Sequence, residues 1–233
     1  MLKKISLVAA IAIAAAATIT SCKKSDSLAT LPAPTGTAVA LPAEGDSVDF
    51  EDAETKGYLK GLADGAYGAR NFHQGTVQDL TDTNQWATKA GTYYYSFDDN
   101  DGLSGAGISS YSFKFTGSAT ADLTVDTSRF TLRYINTAFG SVTSTTGSTL
   151  IASGVASYNS ITGVGNPAAA GWYVYSLVNH TVVAYTPRTY LLTKKSTNEV
   201  WKLRINSIYY NATPVGSPYP TNYPYFSFDY KHL

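Results

Sequence analysis

Short runs that alternate apolar with polar residues, separated by polar turns, are the feature that most narrows what this chain can become. The clearest is VWKLRIN. There Trp201, Leu203 and Ile205 fall on one side, and Val200, Lys202, Arg204 and Asn206 on the other. A period of two is what a half-buried strand requires, because successive side chains point to opposite faces. Before it, Tyr190–Thr193 and the polar link Lys194–Glu199 read as the first arm and loop of a β-hairpin. That link has no Gly, which predicts a loop longer than the two-residue primed turn. Trp172–Ser176 and Thr181–Tyr185 supply two further strands, so Gly171–Asn211 reads as a β-meander.

The same signals begin upstream at Thr92. Tyr93–Phe97 is a strand ended by Asp98-Asp99-Asn100-Asp101-Gly102, and Tyr111, Phe113 and Phe115 alternate with polar neighbours. Leu123–Val125 and Phe130–Ile135 follow, and Tyr225–Tyr230 is the last strand, after a Pro-rich extended connection over Asn211–Pro224. No helical pattern separates these strands, which argues against a parallel βαβ sheet. The expected fold is all-β, a mostly antiparallel sandwich or open barrel with at most one short N-terminal helix. Asp52–Ala69, where Gly57, Gly61 and Gly65 recur every four residues and each Gly weakens a helix, reads as that short, frayed helix or as an irregular loop. Arg70–Ala90 shows no clear period and is expected to wrap over the sheet. Gly140–Gly171 is rich in Ser, Thr, Gly and Ala and reads as a long loop, in which Thr149–Ala152 and Val155–Tyr158 could pair.

The N-terminus reads differently. Lys3 and Lys4 precede an apolar, Ala-rich run from Ile5 to Thr18, and Ile19-Thr20-Ser21-Cys22 places a small residue before the chain's one cysteine. This predicts a secretory signal over residues 1–21, cleaved before a lipidated Cys22. Residues 22–50, rich in Ser, Thr, Ala and Pro, then read as a lipidated, disordered tether, with a single β domain over 51–233. With Cys22 committed to lipid there is no disulfide, and no cysteine-based metal or redox site.

Composition bounds function mainly by exclusion. Lys plus Arg equal Asp plus Glu at 17 each, so the chain lacks the basic footprint of a nucleic-acid binder. There is no Gly-x-Ser-x-Gly elbow and no cysteine nucleophile, which argues against an enzyme. Asp98–Gly102 has oxygen ligands at alternate positions, but residues 103–112 offer no acid to complete a calcium loop, so a strand-ending turn is the better reading. Gly102, Gly105 and Gly107 lack the Lys-Ser/Thr and helix of a phosphate cradle. The eighteen tyrosines suit strand pairs and flat-ligand pockets alike.

The C-terminal block resembles the HmuY family. The residues that carry this are Trp172, Tyr173 and Tyr175, then Tyr190–Thr193, then Lys202, Leu203, Ile205, Tyr209 and Tyr210, with FSFDYKHL at the end. The resemblance covers about half the chain from roughly Ser109 onward, most clearly the last sixty or so residues. It implies a lipid-anchored, mostly β haem-binding protein of the outer membrane or cell surface, which captures haem and passes it to an outer-membrane haem receptor. By that resemblance the Gly140–Gly171 region lies close to haem, and His180 is the candidate iron ligand. Leu177 occupies the ligand position in an ungapped alignment from Trp172, and Gly140–Gly171 contains no His or Met. Three arrangements stay open. Haem is held by His180 with Tyr158 or Tyr185 opposite, or by His180 with His73, or else another hydrophobic or glycan-like ligand is bound through the tyrosines. Trp172 joins Tyr158 and Tyr185 as a candidate wall. The alternative function is a surface lipoprotein that binds glycan or protein partners without haem.

Overall fold

The computed structural model describes residues 38–75, 91–105, 107–117 and 120–233. The expected signal, lipid site and most of the tether, like residues 76–90, lie outside them. The chain opens with β1 (Ser47–Asp49), β2 (Thr55–Gly61) and β3 (Tyr67–Gln74). Next come β4 (Tyr93–Ser96), β5 (Asp101–Leu103), β6 (Phe113–Thr116) and β7 (Asp122–Thr124). β8 (Phe130–Ile135), β9 (Thr149–Leu150), β10 (Val155–Ala156) and β11 (Tyr158–Ser160) follow. The last are β12 (Tyr173–Ser176), β13 (Thr181–Ala184), β14 (Thr189–Lys194), β15 (Val200–Ser207) and β16 (Phe226–His232).

These strands form an eight-stranded sheet in the order β1-β2-β3-β16-β15-β14-β8-β9, a five-stranded sheet β10-β7-β6-β4-β5, and a three-stranded sheet β11-β12-β13. Neighbouring strands are antiparallel except β11 and β12. The first two sheets face each other across aromatic side chains. Phe115 stacks on Phe226 at 3.7 Å, Phe97 on Trp201 at 5.2 Å, and Phe113 meets Phe228 edge-on at 5.2 Å. The period of two in VWKLRIN holds: Trp201, Leu203 and Ile205 are buried in this core. On the opposite face Lys202 is also covered, because the turn Phe139–Ser141 lies over it and its Nζ donates to the carbonyls of Phe139 (2.8 Å) and Val142 (2.9 Å).

Several expectations need correction. Asp52–Ala69 is not helical; it forms β2, a single 3-10 turn at Ala63–Gly65, and the start of β3. The glycines serve strands instead. Gly57 sits in a bulge at φ +102°, where a Cβ would come within 2.3 Å of the Arg70 carbonyl oxygen. At Gly61 a Cβ would stand 2.0 Å from the Ala43 carbonyl oxygen, so its bare backbone lets the preceding segment lie against the strand. Arg70–Gln74 completes β3 rather than wrapping over a sheet. The folded body also starts earlier than residue 51: Val39 is buried in the core and its amide donates to the Asp99 carbonyl (2.8 Å).

The two short strands expected to pair within Gly140–Gly171 do not meet. β9 pairs with β8 and β10 with β7, so the chain crosses between sheets through buried Ile151. Such a corner, where a strand leaves one sheet for the other, closes the side of a sandwich. The expected meander is divided as well. β12 and β13 belong to the small sheet, whereas β14 and β15 lie inside the large one. Arg188, itself buried, fixes that junction by donating to the Gly171 carbonyl (2.7 Å), the Pro167 carbonyl (3.1 Å) and Asn136 Oδ1 (2.7 Å), and it also donates to the Ala169 carbonyl.

Of the expected turn Asp98–Gly102, only Asp98–Asn100 turn the chain; Asp101 and Gly102 begin β5, which pairs back onto β4. Asp101 is fully buried and accepts from the backbone amides of Glu51 (2.9 Å), Asp52 (2.8 Å) and Gly102 (2.6 Å). Burial nevertheless pushes its carboxyl up to about 6, above the 3.8 of a free side chain, and outweighs those donors. A group that holds its proton more tightly when folded contributes stability that is complete below about pH 4 and lost as pH rises through about 6. In urea melts, the advantage of the native protein over Asp101→Ala is expected to shrink from pH 4 to pH 7; an advantage that grows would contradict this. At the seam, Phe228→Ala is expected to cost about 3–5 kcal/mol in thermal or chemical melts. Val183→Ala, at a side chain 58% exposed, is expected to stay within ~0.5 kcal/mol.

Candidate functional site

The β12–β13 hairpin sets the position of His180. Ser176 pairs with Thr181, leaving Leu177, Val178, Asn179 and His180 as the turn. His180 adopts φ +53°, a left-handed conformation that turns its ring back along the hairpin. There Tyr175 Oη and His180 Nδ1 are 2.9 Å apart, and the ring of Tyr219 stacks on the imidazole at 4.4 Å. A hydroxyl both donates and accepts, so the tautomer with its proton on Nδ1 donates to Tyr175 and keeps a lone pair on Nε2. Nε2 has no hydrogen-bond partner among the described residues. Burial raises the Tyr175 hydroxyl above its ordinary range, which keeps it neutral beside the ring.

The surroundings are apolar and open. Leu177 is 60% and Val178 89% exposed at the hairpin tip, and Val215 is exposed on the loop that carries Tyr219. Asn222 holds that loop, accepting from the Val215 amide (2.8 Å) and donating to the Thr213 carbonyl (2.7 Å).

The other sequence candidates lie elsewhere. His73, on β3, is fully buried; its Nδ1 lies 2.9 Å from the Pro224 carbonyl and 3.1 Å from Tyr93 Oη, and its ring stacks on Tyr225 at 4.8 Å. It is a core histidine, and burial and its own hydrogen bonds hold the ring inside. Trp172 is also in the core, with Nε1 donating to the Ala121 carbonyl (2.9 Å). Tyr158 is 56% exposed on β11, while Tyr185 covers Arg188 at 4.6 Å. Their backbones are neighbours, since the Trp172 amide donates to Ser157 and the Tyr185 amide to Trp172. Their side chains have different surroundings: Trp172 is in the core, Tyr158 is exposed, and Tyr185 lies on Arg188. The ring partners of His180 are Tyr175 and Tyr219 instead. Tyr175 was legible as five residues before His180 across a hairpin; nothing in the Pro-rich connection marked Tyr219.

Two clefts occupy other surfaces. One, of about 610 Å3, lies over Lys202, Arg204, Asp229 and Lys231 on the outer side of the large sheet. It is internally compensated: Asp229 bridges Arg70 (2.7 Å) and Arg204, while Lys231 donates to the Asp64 carbonyl. Burial, and Lys231 beside it, lower the Lys202 ammonium. The other, of about 660 Å3, is walled by Phe50, Tyr58, Tyr210 and Tyr225, with Asn71 at its floor. Asn71 and Asn211 lock that floor through paired amide bonds, Asn71 Nδ2 to Asn211 Oδ1 (2.9 Å) and the Asn211 amide to Asn71 Oδ1 (2.7 Å).

Among the described residues no group of three or more His, Cys, Asp or Glu could hold a metal ion, and no helix is long and apolar enough to cross a membrane. No protein-family model, curated protein or solved structure matches the chain.

Asn71→Ala removes the side-chain half of both amide bonds and places Ala at φ +53°, so a loss of about 2–4 kcal/mol is expected in thermal melts. Asn211→Gly relieves its own φ of +53° and forfeits one bond, so it is expected to cost less.

Proposed function

We propose that this protein is a non-enzymatic haem-binding protein that captures haem for uptake, is anchored by lipid at Cys22 to the outer membrane or cell surface, and hands its ligand to an outer-membrane receptor. The observation that carries the reading is the state of His180: Nδ1 tied to Tyr175, one ring face covered by Tyr219, and Nε2 without a partner among the described residues. Haem supplies an iron that accepts an imidazole nitrogen and a flat apolar ring system. The residues present fit that group. Tyr175 fixes the tautomer and orientation of the ligand ring, as partners of metal-bound histidines do. Leu177 and Val178 offer apolar contact, and Tyr219 limits rotation of the imidazole. The reading assigns a single protein ligand, His180, and leaves His73 to the core.

Titrating haemin into the purified protein is expected to give a sharp Soret band, with affinity reduced at least about tenfold in His180→Ala, the effect of losing a central contact. Tyr175→Phe is expected to weaken binding less and to change the pH profile of the band, because Nδ1 loses its partner. His73→Ala is expected to lower thermal stability while the band persists. Absence of a band, or a His180→Ala protein that titrates like the native one, overturns the reading.

A further inference from the structure

We propose that the aromatic cleft beside β2 is a second binding site, for a neutral saccharide, distinct from the His180 surface and independent of the haem reading. The cleft lies where the large sheet is deliberately irregular. Register breaks occur at Gly57 in β2, between Phe226 and Phe228 on β16, and between Ile205 and Ser207 on β15, three strands of one continuous stretch of sheet. Between them Asn71 of β3 takes φ +53°, and the turn docked on it has Asn211 at +53° and Ala212 at +57°. Bulges re-aim side chains, and left-handed non-glycine residues persist only where surrounding contacts hold them. The outcome here is Tyr210, 41% exposed, standing edge-on to Tyr225 at 5.2 Å and 74°, with Tyr58 across the opening.

The chemistry of the lining selects the ligand. Aromatic faces accept the C–H faces of a pyranose ring, while its hydroxyls need donors and acceptors around the rim. The Asp49 carboxylate and the Tyr58 and Tyr210 hydroxyls make no hydrogen bond among the described residues, so they are available to such hydroxyls. Lys56 balances Asp49, so the lining has no net charge to favour an anionic or cationic ligand. The volume of about 660 Å3 falls in the ~300–1,000 Å3 range of small-molecule sites.

The test is calorimetric titration of the full-length protein with maltoheptaose, cellohexaose, xylohexaose and mannohexaose. At least one is expected to bind, with affinity reduced about tenfold or more in Tyr210→Ala. Tyr210→Trp is expected to retain binding, because the ring face and not the hydroxyl supplies the platform. A merely structural role would make both variants fail together. Haemin titration of Tyr210→Ala is expected to match the native protein, which separates failure here from failure of the haem reading. No binding by any of the four, or native-like affinity in Tyr210→Ala, overturns the proposal.

Discussion

The contact on which the structure depends is the aromatic seam between the two larger sheets. Phe226 and Phe228 from β16 meet Phe115, Phe113 and Tyr95 from the facing sheet, and Phe72 and Tyr93 extend the same cluster. Edge-on and offset ring pairs gain energy beyond area burial and tolerate only a narrow range of separations. The seam therefore fixes the distance between the sheets as well as holding them together. Because β16 lies between β3 and β15 and also supplies the central rings, an early and a late part of the chain are joined there. With these residues deep inside, the space between the two sheets is filled by aromatic side chains of the described residues.

What happens at those edges is decided by a few polar residues. Arg188, sandwiched between Tyr134 and Tyr185, ties the long Ser/Thr/Gly-rich segment to the end of the large sheet by donating to the carbonyls of Pro167, Ala169 and Gly171 and to Asn136 Oδ1. Burying a guanidinium is tolerable when its donors are satisfied, as here. The small sheet is held on its other side by the Tyr209 hydroxyl, which accepts from the Val182 amide (2.8 Å); burial raises that hydroxyl to about 12, so it stays protonated. These ties position the hairpin that presents His180.

The two histidines show how strongly context overrides residue type. His73 and His180 are the same chemical group, and both were eligible ligands. One faces inward, between a proline carbonyl, a tyrosine hydroxyl and a stacked ring; the other stands on a hairpin turn with one nitrogen held and the other without a hydrogen-bond partner among the described residues. Only the second stands outside the core.

The all-β class, most strands from Tyr93 onward (β5, read as a turn, excepted) and the buried face of VWKLRIN were legible in the sequence, because period-two alternation is a local consequence of burying one face of a sheet. His180 was legible as a candidate from its place in the C-terminal block. The N-terminal strands were not: Gly57 and Gly61 suggested a helical spacing, whereas one answers to a bulge opposite Arg70 and the other to close passage of Ala43. Both reasons involve residues on other segments, so no local pattern contains them. The same holds for the pairing of β9 with β8 and β10 with β7, for Tyr219 against His180, and for the cleft that brings Tyr58 to Tyr210. Local alternation marked most of the later strands, but not the N-terminal ones. Which strands are neighbours, and which aromatic rings remain outside, was decided by long-range packing that exists only once the seam has closed.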